Sequence, residues 1–258
     1  MDASRPPSAV LIDIAGVLQV EDQPIAGAVD GLRALRGSGL PLRFLTNTTR
    51  SPRSRIVASL RQAGFAVEPE EVQTAVHATR HLIAQRRLRP YYLVHPDIAD
   101  EVGPSHPEPD AVVVGDAGPY FTFEAMNRAF RLLMAGHPLI AMARGRYFRE
   151  RDGLSLDAGA FVCGLEFASG VVAEVVGKPA AAFFQSALDE LGVAPERAVL
   201  IGDDLNDDIG GAQAAGIPGI LVRTGKFRPG DEDHPLIRPA AIRADFAAAV
   251  DHILSARA

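Results

Sequence analysis

The feature that most limits this chain is a repeated pairing of a short, almost wholly apolar run with a helical pattern. "AVLID" (9–13) is followed by Ile25, Ala28, Val29, Leu32 and Leu35 at helical spacing, and Gly37 and Gly39 end that segment. "LRFLTN" (42–47) comes next, then a helix from Pro52 through Gln62 that Gly64 stops. Toward the other end "AVLIGD" (198–203), a helix from about Asp207 to Ala215, "GILVRT" (219–224) and a last helix from about Ala244 repeat the pattern. Strands buried on both faces and separated by helices predict an α/β fold, a parallel sheet with right-handed crossovers and helices on both faces. With 258 residues, 47% of them hydrophobic, the chain can bury a large core.

A second α/β block interrupts this pattern. Its runs are "YYLVH" (91–95), "AVVVGD" (111–116), "PLIAMA" (138–143) and "VVAEVVG" (171–177), and in "TFEAMNRAFRLLM" (122–134) Phe123, Met126, Phe130 and Leu133 share one stripe that reads as core. The economical architecture is a discontinuous core domain, residues 1–76 and 176–258, with an inserted domain at 77–175. A net charge of −6 with scattered basic residues argues against nucleic acid and anionic membrane partners and for a small solute. The single Cys163 excludes an internal disulfide, no apolar run approaches the roughly 20 residues of a membrane span, and the opening "MDASRPPSAV" lacks a signal-peptide pattern. The expectation is a soluble, cytoplasmic protein, with a homodimer allowed.

Ligands of open parallel sheets bind beyond the carboxyl ends of the strands. Three such ends carry suitable groups: Asp13, the Thr46-Asn47 pair, and Gly202-Asp203-Asp204. "GDDLNDD" (202–208) packs four carboxylates into one turn region, which is costly unless a cation or hydrogen bonds compensate. Hard oxygen ligands of this kind suit Mg²⁺, which keeps several waters and uses one or two carboxylates. Lys178, in "VVGKP" after another apolar run, is a candidate phosphoryl clamp.

"DIAGVL", "FLTNTT", "VVGKP" and "IGDDLNDDIGGAQAAG" stand in the order and strand-end context of the four motifs of the haloacid dehalogenase superfamily of phosphohydrolases, which this chain resembles. The inserted block looks like its C2-type cap, on a Rossmann-like core. "VLIDIAGVL", "GRYFRERDGLSLDAGAFVCGLEFASG" and "VRTGKFRPGDEDHP" are similar to a subgroup of its subclass IIA that contains a phosphatase of pyrophosphate and phosphorus–nitrogen bonds, a similarity that does not fix the substrate. The resemblance implies that Asp13 attacks phosphorus to form an aspartyl phosphate. It implies that Thr46 and Asn47 contact the phosphoryl group and that Lys178 neutralises charge on it and on Asp13. Mg²⁺ would be held by Asp13, Asp203 and the backbone carbonyl of Ala15, with Asp208 and Asp204 supporting from behind and either Asp204 or Asp207 capping the following helix. Asp116, in the cap loop that faces substrate in the family, is a further candidate contact.

Ala15 departs from the pattern, because most of the superfamily carries there an aspartate that serves as general acid and base, a contribution of about 10²- to 10⁴-fold. The substrates expected are therefore small compounds with a reactive phosphate, such as pyrophosphate, an acyl phosphate or an N-linked phosphate. The alternative expectation is a degenerate member that binds phosphate compounds or a partner without efficient turnover.

Overall fold

The computed structural model describes residues 6–20, 22–150 and 153–257, without the side chains of Arg149 and Glu150. The chain divides into two compact units: one built from the segments ending at Thr46, Arg53–Gln73 and Lys178 onward, the other from Asn47–Pro52 and Thr74–Gly177.

The first unit holds a six-stranded sheet. Its order is Ala241–Arg243, Gly219–Val222, Ala198–Gly202, Ala9–Asp13, Leu42–Thr46, Val72–Thr74, and the pairings from Ala241–Arg243 across to Leu42–Thr46 are parallel. Every residue of Ala9–Asp13, Leu42–Thr46 and Ala198–Gly202 is buried, as expected of strands covered on both faces. On one face helix Ala28–Gly37 packs with helix Phe246–Ser255, bringing Leu32 and Leu35 into one core with Phe246, Val250 and Ile253. Helix Ala181–Leu191 buries Phe183 and Phe184. From Ala9–Asp13 the chain moves outward through Leu42–Thr46 and Val72–Thr74, and later returns to Ala198–Gly202 and moves outward on the other side. The order therefore reverses between Ala9–Asp13 and Ala198–Gly202, where an open parallel sheet leaves a crevice at its carboxyl edge.

The second unit has its own four-stranded parallel sheet, in the order Glu174–Val175, Leu139–Ala141, Ala111–Val114, Pro90–Leu93. Helices Ala75–Arg86, Phe123–Met134 and Ala158–Ser169 are N-capped by the side chains of Thr74, Thr122 and Asp157. None of the described helices is long and apolar enough to cross a membrane.

Three local expectations are corrected. Phe123 is 79% exposed because it opens its helix, one residue after the cap, and the buried stripe runs through Ala129 and Leu133, with Met126 and Phe130 packed partly against it. The segment expected as one helix from Asp207 is a widened π turn, Leu205–Gly210, followed by the short helix Gly211–Ala214. Two antiparallel hairpins, Gln19–Val20 with Gln23–Pro24 and Tyr147–Glu150 with Gly153–Leu156, were not expected from the sequence.

Candidate active site

Asp13 ends its strand level with Leu45, and Ile14 N–H donates to the Leu45 carbonyl, so Thr46 lies beside the loop that follows Asp13. On the other side the register Ile12 to Ile201 brings Gly202 and Asp203 to the same edge. Lys178 reaches into this edge from the segment before helix Ala181–Leu191: its Nζ donates to Asp13 Oδ1 at 2.5 Å and to Asp208 Oδ1 at 2.7 Å. Asp13, Thr46, Lys178, Asp203 and Asp208 are all buried.

The widened turn explains how Asp208 joins this cluster. It aims the side chain back at the strand end, where Asp208 Oδ2 accepts the N–H groups of Asp203 at 3.2 Å and Asp204 at 3.1 Å. Asp204 has a different job. Its Oδ1 accepts the N–H groups of Asn206 and Asp207, an N-cap, and its Oδ2 pairs with Lys226 Nζ at 3.2 Å. Of the two capping candidates, Asp204 is the cap.

Asp203 is gripped from the side. Its Oδ2 accepts Lys226 N–H at 2.6 Å. A Cβ on Gly16 or on Gly225, both at positive φ, would lie 2.1 or 1.9 Å from that same oxygen. Only glycine fits where two backbones close on a carboxylate.

Crowding sets the protonation of the acids. Burial, then the charge of Asp208, raises the Asp13 pKa to about 6 against the opposing pull of Lys178. Burial, then Asp13 and Asp208, raises Asp203 to about 9. Burial also disfavours the Lys178 ammonium, but Asp13 and Asp208 outweigh it and push its pKa up. Asp207 is raised to about 6 by burial and by Asp204. Carboxylates held this close require a cation to ionise together.

The donor set fits such a cation. One oxygen from each of Asp13, Asp203 and Asp208 lies within 4.8 Å of the others. Both oxygens of Asp208 are engaged. Among the described residues, hydrogen bonds reach only Oδ1 of Asp13 and Oδ2 of Asp203, so each keeps one oxygen for a metal. In the loop after Asp13, the Ile14 carbonyl accepts Leu18 and Gln19 N–H and the Gly16 carbonyl accepts the Thr224 hydroxyl, whereas the Ala15 carbonyl accepts none of these bonds. Two carboxylate oxygens and one carbonyl are what an octahedral Mg²⁺ that retains its waters would use.

Asn47 and Asp116 belong to the second unit. Asp116 follows strand Ala111–Val114; its N–H donates to Thr49 Oγ1 and its Oδ1 accepts Gly118 N–H, each at 2.9 Å. Arg50 lies 3.8 Å from its Oδ2 and stacks over the Phe148 ring at 5.7 Å. Arg50, Asp116, Gly118 and Phe148 line a cavity of about 230 Å³ together with Ser155, Leu156 and Phe161. Arg50, Phe148, Thr224 and Lys226 were not among the residues expected here; the signal for the last two was a glycine between a hydroxyl and a cation directly after an apolar strand, "VRTGK".

Comparison with known proteins agrees with this architecture. A family model described as haloacid dehalogenase-like hydrolase matches residues 10–104, and a HAD-hydrolase-like model matches 175–249. The human haloacid dehalogenase-like hydrolase domain-containing protein 2 is 44% identical over 255 residues, 98% of each chain. The phospholysine phosphohistidine inorganic pyrophosphate phosphatase of Xenopus laevis is 42% identical over 257 residues, covering 96% of this chain and 95% of its own. Among solved structures, the 4-nitrophenylphosphatase of Thermotoga maritima superposes with a TM-score of 0.88 at 25% identity over 96% of this chain and 97% of its own. A glycerol phosphate phosphatase from Mycobacterium tuberculosis in complex with magnesium gives 0.85 at 30% identity over 94% of this chain and 76% of its own.

Proposed function

The chain belongs to the haloacid dehalogenase-like hydrolase family and is a hydrolase of the phosphatase type, and from that premise we propose that it is a Mg²⁺-dependent phosphatase acting through Asp13 on small compounds with a reactive phosphate. The observation that carries the reading is the buried cluster at the sheet's reversal point, in which Lys178 bridges Asp13 and Asp208 while Asp13 and Asp203 each keep one oxygen open.

In this reading the Asp13 oxygen beside Lys178, not the one left for the metal, attacks phosphorus, the bond to the leaving group breaks with its electron pair on that group, and an aspartyl phosphate results. Water then cleaves it, releasing inorganic phosphate and restoring the carboxylate. Lys178 offsets the charge that gathers on Asp13 and on the phosphoryl oxygens, and Asp208 holds Lys178 in place. Thr46 donates to the phosphoryl group; Asn47 and Asp116 are assigned to substrate on the family resemblance. Mg²⁺, held by Asp13, Asp203 and the Ala15 carbonyl, would supply Lewis-acid neutralisation of the phosphoryl oxygens.

Ala15 sets the substrate class. With no acid at that position an alkyl ester must expel a poorly stabilised alkoxide, whereas pyrophosphate, an acyl phosphate or an N-linked phosphate departs with less help. The same residue favours a second reading, a phosphate-binding protein without useful turnover. A panel of pyrophosphate, phosphoramidate, acetyl phosphate and sugar phosphates, with and without Mg²⁺, separates the two. Turnover of the reactive phosphates with Mg²⁺, abolished by Asp13→Asn, is expected; binding without turnover of any of them would replace the enzyme with the binder.

A further inference from the structure

The loop after strand Gly219–Val222 crosses behind the metal ligands and touches two segments at once. The Thr224 hydroxyl donates to the Gly16 carbonyl. Two residues on, Lys226 N–H donates to Asp203 Oδ2 at 2.6 Å. Between them Gly225 packs so closely that a Cβ there would lie 2.6 Å from Gly16 Cα as well as 1.9 Å from the Asp203 carboxylate. We propose that Thr224, through the Thr224-Gly225-Lys226 turn, is a positioning residue that locks the Ala15 carbonyl and the Asp203 carboxylate into one metal-binding geometry.

Gly16 links the hydroxyl to the ligand, because its N–H shares a peptide plane with the Ala15 carbonyl and its own carbonyl is the one that Thr224 holds. Ala15 C=O and Gly16 N–H belong to one rigid trans unit and point in opposite directions. Gly16 N–H donates to the Gln19 carbonyl at 2.8 Å, so the Ala15 oxygen is turned the other way. The next unit along carries the Gly16 carbonyl, and the Thr224 hydroxyl holds it. Without that bond Gly16, at φ +82° and with no side chain to resist movement, keeps only the anchor at its N–H, and the Ala15 carbonyl it carries is held from one side alone. The same turn takes up the back oxygen of Asp203 and leaves the other one outward. A carbonyl on one loop and a carboxylate on another thus share a single three-residue brace. Outer groups that orient metal ligands in this way are worth about 10- to 100-fold in metal affinity.

This inference rests on the proposed metal site, and the test keeps the two apart. Mg²⁺ affinity is measured calorimetrically on the whole protein for wild type, Thr224→Val and Thr224→Ser, alongside the metal-free melting temperature of each. The expected result is a Kd about 10-fold weaker for Thr224→Val, affinity near wild type for Thr224→Ser, which keeps the hydroxyl, and similar metal-free melting for all three. Wild-type affinity in Thr224→Val overturns the brace alone. Equal weakening in both variants also overturns it, since the hydroxyl is then not what acts. A wild type that binds no Mg²⁺ overturns the metal reading and the brace with it.

Discussion

At the carboxyl edge of the first unit the buried charges interlock. Lys178 bridges two carboxylates, Asp208 holds both the lysine and two backbone N–H groups, and Asp203 is closed in by two glycines. The corresponding edge of the second unit is more open to solvent. Arg50 stands 3.8 Å from Asp116 and leans on an aromatic face, and nearby Leu156 is 66% exposed. The tight edge has the pre-organisation that bond-making chemistry requires. The open one combines polar and aromatic groups around a small cavity, the kind of lining that small-molecule sites use.

The sharpest way to break this contrast is Lys178→Met. It leaves Asp13 and Asp208 buried without their shared cation, and removing one partner of a buried ion pair costs about 3–5 kcal/mol. Denaturant unfolding should show a loss of that order, and turnover should fall by about 10²- to 10³-fold. A variant as stable and active as wild type would mean that the edge is not interlocked.

Next in size is Ala15→Asp. Turnover of alkyl phosphates should rise by up to roughly 10²-fold, and that of pyrophosphate or phosphoramidate by less, because only the former lacks a good leaving group. An unchanged ranking of substrates would show that another group already protonates the leaving atom.

The raised pKa of Asp203 gives a signed pH effect. Below about 9 the metal-free site holds this acid protonated, and Mg²⁺ must displace the proton. Mg²⁺ affinity should therefore climb with pH, by about tenfold between pH 7 and 8 for one displaced proton. Folding follows the same linkage. The native state keeps a proton that the unfolded chain gives up near pH 4, so Asp203 stabilises the metal-free fold at low pH and that contribution is lost as pH rises toward 9. Melting curves from pH 5 to 9 with and without Mg²⁺ should diverge upward; parallel curves would show that Asp203 is not a ligand.

The smallest effect belongs to the open edge. Arg50→Met removes, among other contacts, a partly exposed cation–π contact worth about 0.5–1 kcal/mol. It should change KM by a few-fold, differently for different substrates, while Mg²⁺ affinity stays put. A large fall in kcat with uniform KM would place Arg50 in the chemistry instead.

The tight edge was also the more legible in sequence. Asp13, Lys178 and Asp203 each follow an apolar run of strand type, and motif order told which runs belonged together. The division of labour among Asp203, Asp204, Asp207 and Asp208 was hidden, because it depends on the widened turn at Leu205–Gly210, and a helical period gives no sign of one extra residue in a turn. The hairpin Tyr147–Glu150 with Gly153–Leu156, which supplies Phe148, was also missed. Its strands are four residues each, too short for alternation to stand out. The brace at Thr224-Gly225-Lys226 was hidden for a third reason, since one of its two bonds is made by a backbone N–H that every residue but proline possesses.

The central strand Ala9–Asp13 pairs with Ala198–Gly202, about 190 residues later in the chain. At about 5–20 residues per second, a ribosome needs roughly 10–40 s to supply that partner. Until then one side of a strand that is apolar up to its final residue has no neighbour to bond with, which is the kind of edge that captures other chains. The parallel sheet of the second unit is encoded wholly within this interval and can be completed while the first waits. Synthesis thus sets a sequence of assembly in which Asp13 is made early and meets the 202–208 turn late, so a nascent chain cut short before Ala198 would carry Asp13 but none of the carboxylates of that turn, and its exposed strand would make it a client for chaperones.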